Sequence, residues 1–106
     1  MGISTVLETW IGSRREVARV DDPTQILNKL LPGQEDADSR FLRYVDWYGD
    51  TAFNRIQCSD LALELRLMRS RASSDSERDL VDRIIALAER CAAGQAECLW
   101  LRFVGD

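Results

Sequence analysis

The chain has no histidine, a single lysine and only three cysteines. Each shortage removes a chemistry. Without histidine there is no Ser-His-Asp or Cys-His arrangement for nucleophilic catalysis. Three cysteines, none in a Cys-x-x-Cys pair, cannot close a Cys₄ zinc site within one chain, and Cys₂His₂ is excluded outright. No Gly-x-Gly-x-x-Gly or P-loop pattern occurs, so there is no signature of a nucleotide phosphate cradle. Lys29, the sole lysine, would need burial to serve as a Schiff-base amine. No apolar run approaches the roughly 20 residues that span a bilayer. Met1–Val6 has neither the basic and apolar regions of a secretory leader nor the Ser or Thr at the sixth position that a myristoylation signal needs. These shortages lead to the expectation of a non-enzyme with no cofactor, no metal site and no membrane association.

What is present describes one ordinary globular domain, residues 1–106. The chain is 45% hydrophobic and 30% charged, with a net charge of −4, and this length can bury one core without metals or disulfides. The acidic balance argues against nucleic acid, whose binders carry a basic face. Thirteen arginines stand against the one lysine, a skew that codon bias in a GC-rich genome explains. Cys91 falls in an apolar helical pattern and Cys98 in an apolar strand pattern, so buried structural thiols in a reducing cytoplasm are expected.

The local patterns predict the order β-β-α-β-β-α-α-β. Ser4–Ile11 carries Val, Thr, Trp and Ile and reads as a strand. Gly12-Ser13 suits a type II′ turn, and Arg14–Val20 is its return strand, charged as an edge strand should be; a helix is the alternative there. Asp22 and Pro23 suit the N-cap and first position of a short helix ending at Pro32-Gly33. Gln34–Ser39 is an acidic loop without the regular oxygen spacing, glycine or closing glutamate of a calcium site. Arg40–Gln57 predicts a hairpin: a strand through Phe41, Arg43, Val45 and Trp47, a turn at Asp46–Asp50 with Gly49 at positive φ, and a return strand through Thr51–Phe53. Ser59 is the expected cap of the next helix. Its stripe of Leu61, Leu65, Met68 and Ala72 is widened by Leu63 and Leu67. Ser74, with Ser76 as rival, caps a last helix running to Ala93, with Glu77 completing a capping box and Gly94 at C′. Glu97–Val104 is apolar on both faces, as a central strand is.

The expected fold is therefore α+β: a small antiparallel or mixed sheet of four to five strands, covered on one face by an αα-hairpin. With no catalytic kit, the candidate site residues are aromatics and acids at the predicted turn tip: Trp47, Tyr48, Asp46 and Asp50. Exposed aromatics there would anchor a partner protein. A small acidic protein of this kind fits the physical type of an immunity or antitoxin inhibitor, which occludes a basic partner by charge complementarity. The alternatives are a homo-oligomeric structural subunit, in which the aromatics form a self-interface, and a small-ligand-binding domain or enzyme using Asp46, Asp50 or Arg102 in a pocket.

Overall fold

The computed structural model describes residues 2–94 and 98–105. They form the expected α+β fold: four strands, one short helix and two long ones. Strand β1 (Ser4–Ile11) turns into β2 (Ser13–Val20), then come helix α1 (Ile26–Leu30), strand β3 (Asp50–Asn54), helices α2 (Arg55–Arg69) and α3 (Asp75–Ala93), and strand β4 (Leu99–Val104). The sheet is antiparallel throughout, in the order β2-β1-β4-β3.

The last strand lies inside the sheet, as its two apolar faces require. Leu99, Leu101 and Phe103 face the helices and are buried. Leu101 stands between Leu7 and Phe53, and Phe103 between Thr5 and Thr51. Phe53 meets both Phe103 and Phe41 edge-on, with ring centroids 5.9 and 5.8 Å apart. Burying each such ring contributes about 1.5–3 kcal/mol. The start predicted at Glu97 lies outside the described residues; Cys98, expected in the strand, precedes it with φ at 48° and an exposed thiol. The other two thiols are buried, Cys58 on α2 and Cys91 on α3. Contact with Cys91, together with burial, pushes the Cys58 thiol up, so it stays protonated.

Polar side chains close the face of the sheet turned away from the helices. Arg102 on β4 donates from Nε to Glu8 on β1 at 2.7 Å and from Nη1 to Asp50 on β3 at 2.8 Å. Trp10 and Trp100 stack at 4.3 Å, and the Arg14 guanidinium lies 5.0 Å from the Trp10 ring centre. One side chain from each of three strands thus covers each row, which is how a sheet without a second layer keeps water off its backbone. At the edge, β2 carries Arg14, Arg15, Glu16 and Arg19. Its register also slips where Leu7 pairs with Ala18 but Glu8 with Glu16. The bulge turns Glu16 and Arg19 toward one another, at 2.9 Å. Charge and bulge together discourage further strands from adding there. Gly12 alone forms the apex of this hairpin, with φ at 74° and Ile11 opposite Ser13. That is tighter than the two-residue turn expected.

The helices begin where side chains accept their first N–H groups. Asp22 does so for α1, but from further back than a simple cap: its carboxylate accepts from Ile26 N and Leu27 N at 2.9 and 2.7 Å, with Gln25 in the left-handed region between them. For α2 the cap is Asn54 rather than Ser59. Asn54 and Gln57 form a reciprocal capping box, so the strand β3 runs into the helix with no loop. Ser74 caps α3 as expected, accepting from Glu77 N. The Glu77 carboxylate turns instead to Ser73 and to Lys29, 2.6 Å away, tying α1 to the start of α3. Gly94 is the C-cap at φ −85°, not a left-handed C′ residue; a side chain there would collide with Leu99.

Two expectations about helix and strand faces fail. Leu61, Leu65 and Met68 are buried, but Leu63 and Leu67 point into solvent. Residues Phe41–Trp47 are not a strand. Leu42–Tyr44 is a single 3₁₀ turn, and Gly49 is not at positive φ. The hairpin therefore does not exist, and the sheet has four strands.

Glu8 gives a direct test of the open face. Burial pushes its carboxyl up, but the hydrogen bond and charge of Arg102 outweigh this and hold it below the ordinary 4.5. A lowered folded value contributes stability above pH 4.5, which is lost as pH falls through the folded value. Glu8→Gln should cost about 1–3 kcal/mol at neutral pH. Denaturant titrations of the variant should also show a smaller loss of stability on acidification than the parent.

Candidate functional site

The segment Ser39–Gly49 crosses from the acidic loop to the first residue of β3, outside the sheet. Its inward residues are Leu42 and Val45, both buried. A spacing of three is the period of a 3₁₀ turn, and it replaces the period of two that a strand would need. The result is that Tyr44, Trp47 and Tyr48 all face out, with 59, 41 and 81% of their surfaces exposed. Phe41 turns inward instead, onto Phe53.

This loop is fixed from both ends. The Glu64 carboxylate on α2 accepts from Ser39 Oγ at 2.7 Å, Arg40 N at 2.9 Å and Phe41 N at 2.8 Å. Ser39 Oγ in turn accepts from Arg43 N at 3.0 Å. On the sheet side, Asp46 N donates to Thr51 Oγ1 at 3.0 Å, and Gly105 N donates to the Gly49 carbonyl at 2.8 Å. Gly105 has to be glycine, because a Cβ there would collide with the backbone of Asp46 and Trp47. These bonds fix the backbone of the loop at both ends, an ordering that association would otherwise have to supply.

Of the four residues singled out from sequence, Trp47 and Tyr48 lie side by side on this loop and exposed. The two acids serve different partners. Asp46 Oδ1 accepts from Tyr48 N at 2.9 Å, the Asx turn that sets the direction of the tip. Asp50 belongs to the open face of the sheet, paired with Arg102. They do not form the carboxylate pair that acid–base chemistry would use.

Sequence reasoning missed Tyr44 and Arg43. The Arg43 guanidinium stacks 4.8 Å from the Tyr44 ring centre and donates from Nη2 to its hydroxyl at 2.7 Å. Its Nη1 reaches the Asp36 carbonyl at 3.4 Å, and its Nε is buried without a partner among the described residues. The available signal was the pair of apolar residues Leu42 and Val45, three apart. Between this loop and Pro32–Gln34 lies a cleft of about 220 Å³, into which Asp46, Trp47 and Tyr48 face. Glu35, Asp36 and Asp38 follow immediately on the same acidic loop.

Among the described residues no three His, Cys, Asp or Glu side chains gather as a metal site would require, and no helix is long and apolar enough to cross a membrane. Comparison with protein-family models, curated proteins and solved structures finds no match for this chain.

The hold of Glu64 on the loop is testable. In Glu64→Gln, an amide NH₂ replaces one carboxylate oxygen: in place of Oε2 it leaves Phe41 N without its acceptor, in place of Oε1 it leaves Ser39 Oγ and Arg40 N without theirs. The expected cost is about 1–3 kcal/mol. Amide hydrogen exchange should quicken at Arg40 and Phe41 while the amides of β1 and β4 keep their protection.

Proposed function

We propose that the chain is a non-catalytic protein-binding module that docks a basic partner protein on the loop carrying Tyr44, Trp47 and Tyr48. The observation that carries this reading is the exposure of three aromatics on a loop pinned by Glu64 at one end and Gly105 at the other. Tyrosine, tryptophan and arginine are the side chains that dominate interface hot spots. A core role for Trp47 and Tyr48, the plainer alternative, would have left them buried. The surrounding acids supply the choice of partner: Asp46 at the tip and Glu35, Asp36 and Asp38 alongside form a field that attracts a positively charged surface and speeds encounter. A small acidic inhibitor that occludes a basic protein, as immunity proteins and antitoxins do, is the biological role this supports, in a reducing cytoplasm where Cys58 and Cys91 stay thiols.

The test uses immobilised protein and extract of the native host, with Trp47→Ala/Tyr48→Ala as the paired bait. The parent should retain a basic protein that the variant releases, while the melting temperatures of parent and variant stay within a few degrees. With that protein purified, the association rate should fall steeply as salt rises, and affinity should drop by at least tenfold in the variant. Equal retention by both baits, or a variant that unfolds while its folded fraction still binds, would show the aromatics to be structural.

A further inference from the structure

One edge of the sheet is left open. Strand β3 is the last in the order β2-β1-β4-β3, so only its β4 side is paired. The register says which backbone groups face the other way. Gly105 N donates to the Gly49 carbonyl at 2.8 Å, which makes these two glycines a hydrogen-bonded pair. Such pairs recur at every second residue of an antiparallel ladder, so Thr51 bonds Phe103 and Phe53 bonds Leu101. Trp10 N donates to the Cys98 carbonyl at 3.2 Å, so β4 uses its even-numbered residues for β1 and keeps the odd ones for β3. Asp50 and Ala52 therefore turn their N–H and C=O groups outward, and these have no hydrogen-bond partner among the described residues. Asn54, the next outward residue, gives its N–H to Gln57 Oε1 at 2.9 Å, which ends the open stretch. The aromatic loop meets β3 through the Thr51 hydroxyl, on the helix side with Phe53, and not through this edge.

The opposite edge, β2, is defended by charge and a bulge. Strand β3 pairs without a bulge and carries no lysine, arginine or proline. Its two outward residues offer two donors and two acceptors, spaced about 7 Å apart, a pattern that another extended backbone matches. We infer that β3 takes up an extended basic segment of a partner protein as a further antiparallel strand. Charge decides against a second copy of this chain. Pairing β3 with itself would bring together the Asp50 carboxylates of two copies, each with a net charge of −4. Arg102 stands between two carboxylates, Glu8 and Asp50, so this part of the open face carries an excess negative charge. A lysine or arginine across from Asp50 meets a carboxylate that is half exposed. Across from Ala52, the small side chain leaves room for a large one. In antiparallel pairing the residue opposite Ala52 comes two before the residue opposite Asp50. The segment therefore reads large apolar, any residue, then Arg or Lys. The inference rests on the β3 register, so it holds or fails apart from the docking proposal above.

The test starts from a random-peptide display library selected on the whole protein. Peptides with that spacing should be enriched, and a synthetic copy of one supplies the probe. On binding, the amides of Asp50 and Ala52 should slow in hydrogen exchange, while those of Thr51 and Phe53, already bonded to β4, change little. Methylating the backbone nitrogen of the peptide's large apolar residue should weaken binding about tenfold or more. Methylating the next nitrogen, which points away from β3, should not. Ala52→Pro should weaken binding similarly, because it removes an outward N–H and no bond of the sheet. The methylated peptides probe the same pairing on the unaltered protein, so the test stands even where the proline variant fails to fold. No enriched peptide, unchanged exchange at Asp50 and Ala52, or equal effects of the two methylations would overturn the proposal. Binding that is lost in Trp47→Ala/Tyr48→Ala but indifferent to methylation would put the peptide on the aromatic loop, overturning strand addition and leaving the docking proposal intact.

Discussion

The sheet depends on β4 having a partner on each side. Strand β1 is made at one end of the chain, β3 in the middle, and neither touches the other. Only β4 joins them, through backbone pairing and through Arg102, whose guanidinium reaches Glu8 on one side and Asp50 on the other. The β1–β2 hairpin and the α2–α3 pair are local and can form early. The contact between β1 and β4 spans nearly the whole chain, so its closure entropy falls before its reward. The core is equally dependent on it, because Leu101 and Phe103 are the middle of the apolar face onto which both long helices pack.

The polar groups divide into two systems with different consequences. On the open face, Arg102 is paired with Glu8 and Asp50, and Arg14 lies over the stacked Trp10, whose indole N–H is buried without a partner among the described residues. Around the loop, the acids at positions 35, 36 and 38 make no ion pair among the described residues. Net charge is therefore a poor guide by itself. What matters is which carboxylates are already engaged, and the engaged ones lie mainly on the sheet and between the helices.

The parts of this fold that can be read from sequence are those whose period is unambiguous. Ser4–Ile11, the stripes of α2 and α3, Ser74 as a cap and the doubly apolar Leu99–Val104 all announce themselves. Phe41–Trp47 misleads because its aromatics suit a strand, while only the spacing of Leu42 and Val45 betrays the 3₁₀ turn. Asn54 misleads because a capping box directly after a strand leaves no loop to mark the helix start, and Ser59 offers a plausible substitute. Leu63 and Leu67 cannot be placed from periodicity alone: two apolar faces on one helix look like one broad face until the packing is known. Trp47 and Tyr48 are exposed as expected, although the hairpin turn that suggested them does not form, whereas Tyr44 was hidden by the assumed alternation.

Having Tyr44, Trp47 and Tyr48 outside the sheet gives this protein a particular kind of evolvability. A strand residue cannot shift by one position without sending its neighbours to the wrong face. The stretch from Tyr44 to Tyr48 is under no such register. Exchanges at Tyr44, Trp47 or Tyr48 alter what this surface presents to solvent while Leu42, Val45 and the Glu64 clasp keep the stretch in place. Lineages sharing this scaffold would change the loop's outer surface with little change in stability, and their sequences would vary most at the positions that face out.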